Sequence, residues 1–225
     1  MRDLIFFVAL PYASVLLFLV VSIQRYRNNP FSFSSLSSQF LESKKLFWGS
    51  VPFHIGILTL FFGHLIGFLI PRHVTIWNRV PVRLFVLETA GMVAAFLCLI
   101  GLVGLIYRRA TNSRLRVNTT KADILVYVLL MAQIGTGLWV AWTLRWGSSW
   151  YVHTAVPYLR SLLVFDPQIQ YVAELKLAAQ LHIIGAWVLI GAFSFTRLVH
   201  ALVAPVPYLW RPNQLVIWYR DRKQQ

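Results

Sequence analysis

The sequence predicts an all-α integral membrane protein, a bundle of five transmembrane helices that forms one domain over residues 1–225. Apolar residues make up 58% of the chain and charged residues only 12%, about half the charged share of an average soluble domain. Long apolar runs with few charged side chains recur five times, and each is long enough to cross a bilayer as a helix. The predicted spans are 4–23, 46–70, 84–107, 124–144 and 177–203.

Flanking residues define the ends of the first three spans. The first run is longer than the apolar core of a signal peptide and is followed by Arg25 and Arg27, so we expect an uncleaved span. Pro52 lies near the start of the second run, where its missing N–H costs least. Pro71 closes that run, and Pro81 precedes the third.

The last two spans enclose the longest predicted extramembrane segment, 145–176. Its tryptophan and tyrosine residues are typical of a membrane interface, and part of it is expected to lie flat on the membrane as an amphipathic segment. The chain after the fifth span is too short for a second domain. We therefore expect any soluble catalytic part to be another chain.

The positions of the basic residues predict an amino terminus outside and a carboxyl terminus in the cytoplasm. Fourteen of the 21 Lys and Arg residues fall in segments that this orientation places inside, as the positive-inside rule requires. The same bias supplies most of the net charge of +14. Anionic lipid headgroups are a sufficient partner for that charge, so no nucleic acid is expected.

Four histidines within the spans are the main functional signal: His54 and His64 in the second span, His182 and His200 in the fifth. Histidine inside a membrane is costly and usually functional. Two on each of two helices predict bis-histidine ligation of two haems. Because the two spans run in opposite directions, the expected pairs are His64 with His182 near the outer face and His54 with His200 near the inner face. The alternatives are hydrogen-bonded core histidines, another metal, or a proton relay.

The spacing of these histidines is uneven. Ten residues rise about 15 Å in a straight helix and eighteen rise about 27 Å, so a tilt, a kink or unequal ligand heights must absorb the difference. In a straight fifth span His182 and His200 would share one face. Glycines beside the histidines suit either a flat macrocycle or ordinary helix packing; they are Gly56, Gly63, Gly67, Gly185 and Gly191.

The chain has one cysteine, Cys98, and no C-x-x-C-H sequence. Covalent haem attachment, an iron–sulfur cluster and an internal disulfide are therefore excluded.

Several motifs resemble the gamma subunit of respiratory nitrate reductase. Phe53-His54-Ile55-Gly56 and Gly63-His64 are similar to its second helix. Leu181-His182, Phe195-Thr196-Arg197-Leu198-Val199-His200 and Pro205-Val206-Pro207-Tyr208-Leu209 are similar to its last helix and exit. Arg114-Leu115-Arg116 with Thr119-Thr120 and Ala122-Asp123-Ile124 resembles its inner loop.

The resemblance implies a cytochrome b with two haem b groups in the inner (cytoplasmic) membrane of a prokaryotic cell. Menaquinol or ubiquinol from the quinone pool would be oxidised beside the outer haem. Electrons would then pass by way of the inner haem to an iron–sulfur beta subunit and a molybdenum-containing alpha subunit that reduces nitrate. The expected role is in anaerobic respiration or nitrate assimilation.

The resemblance also implies further site residues. The family's quinol site uses a lysine after the outer-loop proline; counting from Pro81 reaches Phe85, and Arg83 is the basic residue that could substitute. Gly63, His64 and Arg83 are thus the expected quinol-site residues.

Polar residues near the two haem sites have hypothetical roles. Glu88 is a possible proton acceptor or an interfacial acid. Arg197, one turn before His200, could pair with an inner haem propionate. Arg114 and Arg116 are weaker candidates for that contact.

Two alternatives stay open at this point. The same haem electron transfer could serve another molybdenum or sulfur-metabolism oxidoreductase, because the membrane chain carries no nitrate-binding residues. A haem-free membrane anchor or transporter would require the depths and number of the four histidines to be coincidental.

Overall fold

The computed structural model describes residues 1–33 and 44–203, and all regular structure within these ranges is helical. Five long helices dominate, and their bounds differ by a few residues from the predicted spans. They are α1 (Arg2–Asn28), α2 (Lys44–Leu69), α3 (Pro81–Thr111), α4 (Lys121–Thr143) and α5 (Leu177–Phe193).

Four of these helices are long and apolar enough to cross a membrane. The fifth candidate span consists of α5 together with a 3₁₀ segment, Arg197–Val203, and these two parts are bent by 83°. The described residues therefore contain four candidate spans, or five when the bent pair is one span. The predicted cytoplasmic tail and the motif 205–209 lie outside the described residues.

Shorter helices connect the long ones. Pro71–Asn78 joins α2 to α3, and Ser113–Val117 joins α3 to α4. Between α4 and α5 lies an irregular helix over 147–163, hereafter the outer helix, which is α-helical except for a π-helical turn at Tyr151–Ala155. It lies within the segment that the sequence predicts to be extramembrane.

The long helices pack in a chain of neighbours: α2 on α3, α3 on α4, α4 on α5, and α5 on α1. Glycine allows the closest of these contacts, because a Cβ on Gly101 would collide with the backbone of Phe53, and one on Gly56 with that of Ala94 and Cys98. Gly56 therefore serves helix packing. By contrast, α2 and α5 are not among the closely packed helix pairs, so a gap separates the two histidine-bearing helices.

The outer helix is fastened to both α2 and α3. Its first two backbone N–H groups, of Gly147 and Ser148, donate to the carboxylate of Glu88 on α3 at 3.0 and 2.9 Å. A carboxylate at a helix N-terminus satisfies donors that have no intrahelical partner. At the other end Arg160 donates to the carbonyl of Phe68, in the last turn of α2, at 2.8 Å. Glu88 is thus a helix cap in this fold.

The predicted span 177–203 is not one continuous helix, because α5 ends at Phe193. Thr196 donates its hydroxyl to the Phe193 carbonyl at 2.9 Å, and Arg25 of α1 donates to the carbonyls of Ser194 and Thr196 at 2.7 and 3.0 Å. Side-chain hydroxyls that bond nearby backbone compete with helical bonds, and Arg25 satisfies the carbonyls that the break exposes. His182 and His200 consequently do not share one helix face.

Candidate functional site

The structure brings the four span histidines together in two pairs. The ring centroids of His54 and His200 are 6.3 Å apart, and those of His64 and His182 are 6.4 Å apart. These are the pairs that the sequence predicts, and we call them the inner pair and the outer pair after the predicted orientation. Their role as haem ligands stays a prediction.

The distances between the paired ring centroids match those expected for two imidazoles that bind one metal ion. Two imidazoles bound to opposite sides of one ion at about 2.0–2.1 Å place their ring centroids about 6.3 Å apart. The described residues contain no group of three or more His, Cys, Asp or Glu side chains suited to a metal ion. Two protein ligands per site is the number that bis-histidine haem iron requires, whereas zinc sites use three or four. The residues present therefore fit haem.

Hydrogen bonds fix the tautomer of three of the imidazoles. The Nδ1 atoms of His54, His64 and His200 lie 2.7, 2.7 and 2.6 Å from the backbone carbonyls of Ser50, Leu60 and Arg197 respectively. A carbonyl only accepts, so Nδ1 carries the proton and the lone pair is on Nε2. This is the arrangement in which protein histidines bind metals.

His182 is held by the side chains of α4 instead of a carbonyl. Its Nδ1 lies 3.2 Å from the hydroxyl oxygen of Thr136, which itself donates to the carbonyl of Ala132 at 2.8 Å. The hydroxyl oxygen accepts in the tautomer with Nδ1 protonated, whereas in the other tautomer Nδ1 accepts from the Gln133 amide nitrogen, which is also 3.2 Å away. The Gln133 amide donates to the His182 carbonyl at 3.2 Å and also lies against the ring.

Gly137 of α4 also lies against the His182 ring. A Cβ at Gly137 would lie 3.0 Å from Cε1 of the imidazole, tighter than an ordinary contact. Gln133, Thr136 and Gly137 were missed by sequence reasoning. The sequence signal for them is that Gln133 and Thr136 are polar side chains within an otherwise apolar span. Such side chains are rare in membranes and usually functional.

The helix break accounts for the uneven spacing of the histidines. Beyond Phe193 the chain turns by 83°, so the eighteen residues from His182 to His200 do not extend as one straight helix. Of the three possibilities left open by the sequence, a kink is the one observed. Both pairs can therefore form, although His54 and His64 are ten residues apart and His182 and His200 are eighteen residues apart.

Arg197 contacts an acid of α4. Its Nε lies 2.6 Å from one carboxylate oxygen of Asp123, and one Nη lies 2.8 Å from the other. Arg197 thus forms an ion pair with Asp123, and its contact with an inner haem propionate stays a prediction. The described contacts of Arg114 and Arg116 do not involve His54 or His200 either; both are exposed, and Arg116 lines an open groove of about 790 Å³ between α3 and α4.

The predicted quinol-site residues are only partly brought together. Gly63 and His64 are exposed on α2, and space beside Gly63 is open, since an added Cβ would meet nothing within 4 Å. The described contact of the Arg83 side chain is with Trp77, whose ring centroid lies 5.2 Å from its guanidinium carbon. The structure instead adds Tyr151, whose ring centroid is 5.3 Å from that of His64.

Tyr151 belongs to the π-helical turn of the outer helix. Its hydroxyl donates to the His64 carbonyl at 3.1 Å, and its ring occupies the space where Gly67 lacks a side chain. Burial raises the pKa of Tyr151 to about 12, so the phenol remains a donor at neutral pH. The sequence marked Tyr151 only as an interfacial aromatic residue.

The remaining glycines face protein side chains. A Cβ on Gly185 would collide with the side-chain oxygen of Gln133, and one on Gly191 would press on Ser14 of α1. These two therefore serve the packing of α5, and Gly63 is the only one of the five predicted glycines with open space beside it.

Comparison with known proteins gives one consistent result. The family described as nitrate reductase gamma subunit matches residues 3–219. The chain is 34% identical to the respiratory nitrate reductase 1 gamma chain of Escherichia coli and 32% identical to the nitrate reductase gamma chain of Bacillus subtilis, in each case over 95% of this chain and 96% of the relative. It is also 34% identical to the nitrate reductase-like protein NarX of Mycobacterium tuberculosis over 98% of this chain, which spans about a third (34%) of that longer protein.

Proposed function

Because the chain belongs to the nitrate reductase gamma subunit family, we propose that it is the di-haem membrane subunit of a quinol-dependent nitrate reductase complex. Menaquinol or ubiquinol is oxidised near the outer face. Electrons pass inward to an iron–sulfur beta subunit and a molybdenum-containing alpha subunit in the cytoplasm. The observation that carries the proposal is the pair of 6.3 and 6.4 Å imidazole separations.

When bound, two b-type haems supply one-electron carriers at two depths of the membrane. The chain supplies their placement: His64 with His182 for the outer haem, His54 with His200 for the inner. The Nδ1 hydrogen bonds to backbone carbonyls hold His54, His64 and His200 in the orientation and tautomer that ligation requires. The two histidine pairs would hold a flat macrocycle in the gap between α2 and α5.

The quinol site in this proposal lies beside the outer pair. Gly63 leaves open space next to His64. Tyr151 packs against the same part of α2, where its hydroxyl donates to the His64 carbonyl. Arg83 lies against Trp77, so Gly63 and His64 are the better supported of the three predicted residues. Quinol protons leave on the outer side.

The proposed orientation has five spans, with the amino terminus outside. The start of α1 lies at the same end of the bundle as the outer helix, since the Tyr158 hydroxyl donates to the Phe7 carbonyl at 2.9 Å. The opposite end carries Arg25, Arg108, Arg109, Arg114 and Arg116. Basic residues there favour a cytoplasmic location and suit the docking of soluble subunits.

The test is the haem content of the purified full-length chain, measured as a pyridine haemochrome, with the reduced-minus-oxidised spectrum. We expect two b-type haems per wild-type chain and about one in His64→Ala, because that variant removes one ligand of the outer pair. His73→Ala is the matched control, since His73 is exposed in the connection between α2 and α3. It should keep two haems.

Two results would overturn the proposal. One is folded wild-type protein without haem, which would favour the anchor or transporter. The other is equal haem content in His64→Ala and wild type, which would remove His64 from the ligand set. Quinol oxidation is tested separately, by the rate at which menaquinol or ubiquinol analogues reduce the haems in membrane vesicles.

A further inference from the structure

A buried group of charged side chains lies at the inner end of the bundle. Asp123 of α4 is 3.1 Å from Arg109 of α3 and 2.6 Å from Arg197 of the 3₁₀ segment. The Asp123 side chain is only 5% exposed, and those of Arg109 and Arg197 are 14% and 24% exposed. Among these three side chains, one acid thus neutralises part of the charge of two arginines.

The group joins three separate elements. Asp123 also lies in the first turn of α4, where its carboxylate accepts from the backbone N–H of Thr120 at 2.9 Å and the Thr120 hydroxyl accepts from the Asp123 N–H at 3.2 Å. A buried charge is costly unless it is paired and hydrogen-bonded. The end of α3, the start of α4 and the 3₁₀ segment are therefore held at fixed positions around one carboxylate.

This group is directly connected to the inner pair. Arg197, whose side chain is bound by Asp123, also provides the backbone carbonyl to which His200 Nδ1 donates at 2.6 Å. The 3₁₀ segment follows the helix break and so does not inherit its direction from α5. Its position depends on side-chain contacts: Asp123 binds its first residue, Arg197, and Arg25 binds the carbonyls of Ser194 and Thr196 just before it.

We propose that Asp123 is a positioning residue for the inner haem ligand His200, acting through Arg197. The inference rests on the proposed haem function and assigns Asp123 no contact with haem. Without the carboxylate, Arg109 and Arg197 lose a shared counter-ion, and the Arg197 carbonyl is no longer held in place beneath the imidazole. The effect is expected at the inner haem alone, because Gln133, Thr136 and Tyr151 hold the outer pair and none of them is among the described contacts of Asp123.

A helix cap and a positioning residue are distinguished by two variants. Asp123→Ala removes one bond of the cap, that from the Thr120 N–H, together with both ion pairs. Thr120→Ala removes one bond of the cap and leaves the carboxylate with both arginines. Asp123→Glu keeps the charge and is the conservative variant that should restore function. Asp166→Asn, in the segment between the outer helix and α5, is the control for loss of an acid.

The experiment is a redox titration of the full-length chain, followed optically and by electron paramagnetic resonance, with the inner haem assigned by His54→Ala. In Asp123→Ala we expect a changed midpoint potential and low-spin signal of the inner haem, and about 10-fold weaker haem retention there. The outer haem should be unchanged, which also shows that the protein is folded. Asp123→Glu should recover the inner signal, and Thr120→Ala and Asp166→Asn should resemble wild type.

Non-additivity provides a second readout. If Asp123 acts through Arg197, Arg197→Gln should reproduce the change, and the double variant should be no worse than either single one. An unchanged inner haem in Asp123→Ala overturns the inference, as does equal loss of both haems or an equal effect of Thr120→Ala. Wild-type protein without haem would overturn the proposed function and this inference together. Wild-type protein with two haems, combined with an unchanged inner haem in Asp123→Ala, overturns this inference alone.

Discussion

At the scale of single residues, the ring nitrogens decide whether a histidine in a membrane span can bind a metal. In His54, His64 and His200 a carbonyl takes the Nδ1 proton, which leaves Nε2 available. His182 has a hydroxyl of a neighbouring helix, that of Thr136, 3.2 Å from its Nδ1 in place of a carbonyl. A side-chain hydrogen-bond partner can be removed by substitution, whereas a backbone carbonyl cannot. His182 is therefore the predicted ligand whose surroundings can be tested most directly.

Thr136→Val keeps the size of the side chain and removes the acceptor of the His182 Nδ1 bond. Loss of such a supporting bond typically weakens metal binding about 10-fold or more, so we expect easier loss of the outer haem and a shifted outer midpoint potential. The control is Thr143→Val, because Thr143 on the same helix donates only to the carbonyl of Trp139 at 2.7 Å. Equal haem retention in both variants would show that Thr136 does not support the ligand.

At the scale of elements, the break after α5 is the feature that allows the inner pair to form. The break exposes carbonyls at Ser194 and Thr196, two residues that are almost fully buried at 0% and 3% exposure. Arg25 donates to both carbonyls. A buried acceptor without a partner is unfavourable, so Arg25 stabilises the bent conformation over a straight helix.

Arg25→Leu should destabilise the bend by about 1–3 kcal/mol, the usual cost of an unsatisfied buried acceptor. We expect a lower inner haem content, with the outer haem retained, and a lower midpoint of thermal unfolding. Arg27→Leu is the matched control, since Arg27 is exposed on the same helix. A normal inner haem in Arg25→Leu would indicate that other contacts are sufficient to hold the bend.

At the scale of the whole molecule, the bundle is open between α2 and α5. The helices α3 and α4 connect the two sides of that opening, and α1 packs on α5. The outer helix is fastened across one end through Glu88, Tyr151 and Arg160. The two histidine pairs cross the gap at different levels. This architecture brings each of the two histidine pairs together across the gap, with ring centroids 6.3 and 6.4 Å apart.

The orientation of the bundle can be measured by labelling with a membrane-impermeant maleimide in a Cys98→Ala background. Val164→Cys, at the end with the outer helix, should react in intact cells, whereas Val117→Cys, at the basic end, should react only after the cells are opened. Both positions are well exposed, at 72% and 85%. The opposite labelling pattern would reverse the proposed topology.

The sequence by itself determined the helical membrane class, the approximate bounds of the spans and the four histidines with their pairing. These follow from apolar run length and from the depth of each residue in its helix, which are local properties of the chain. The tertiary structure decided the bend after Phe193, the pairing of Arg197 with Asp123, and the contacts of Tyr151 and Thr136 with histidines. Each of these depends on partners from another helix, such as Arg25 at the bend, and no local pattern indicates which distant side chain will be the partner.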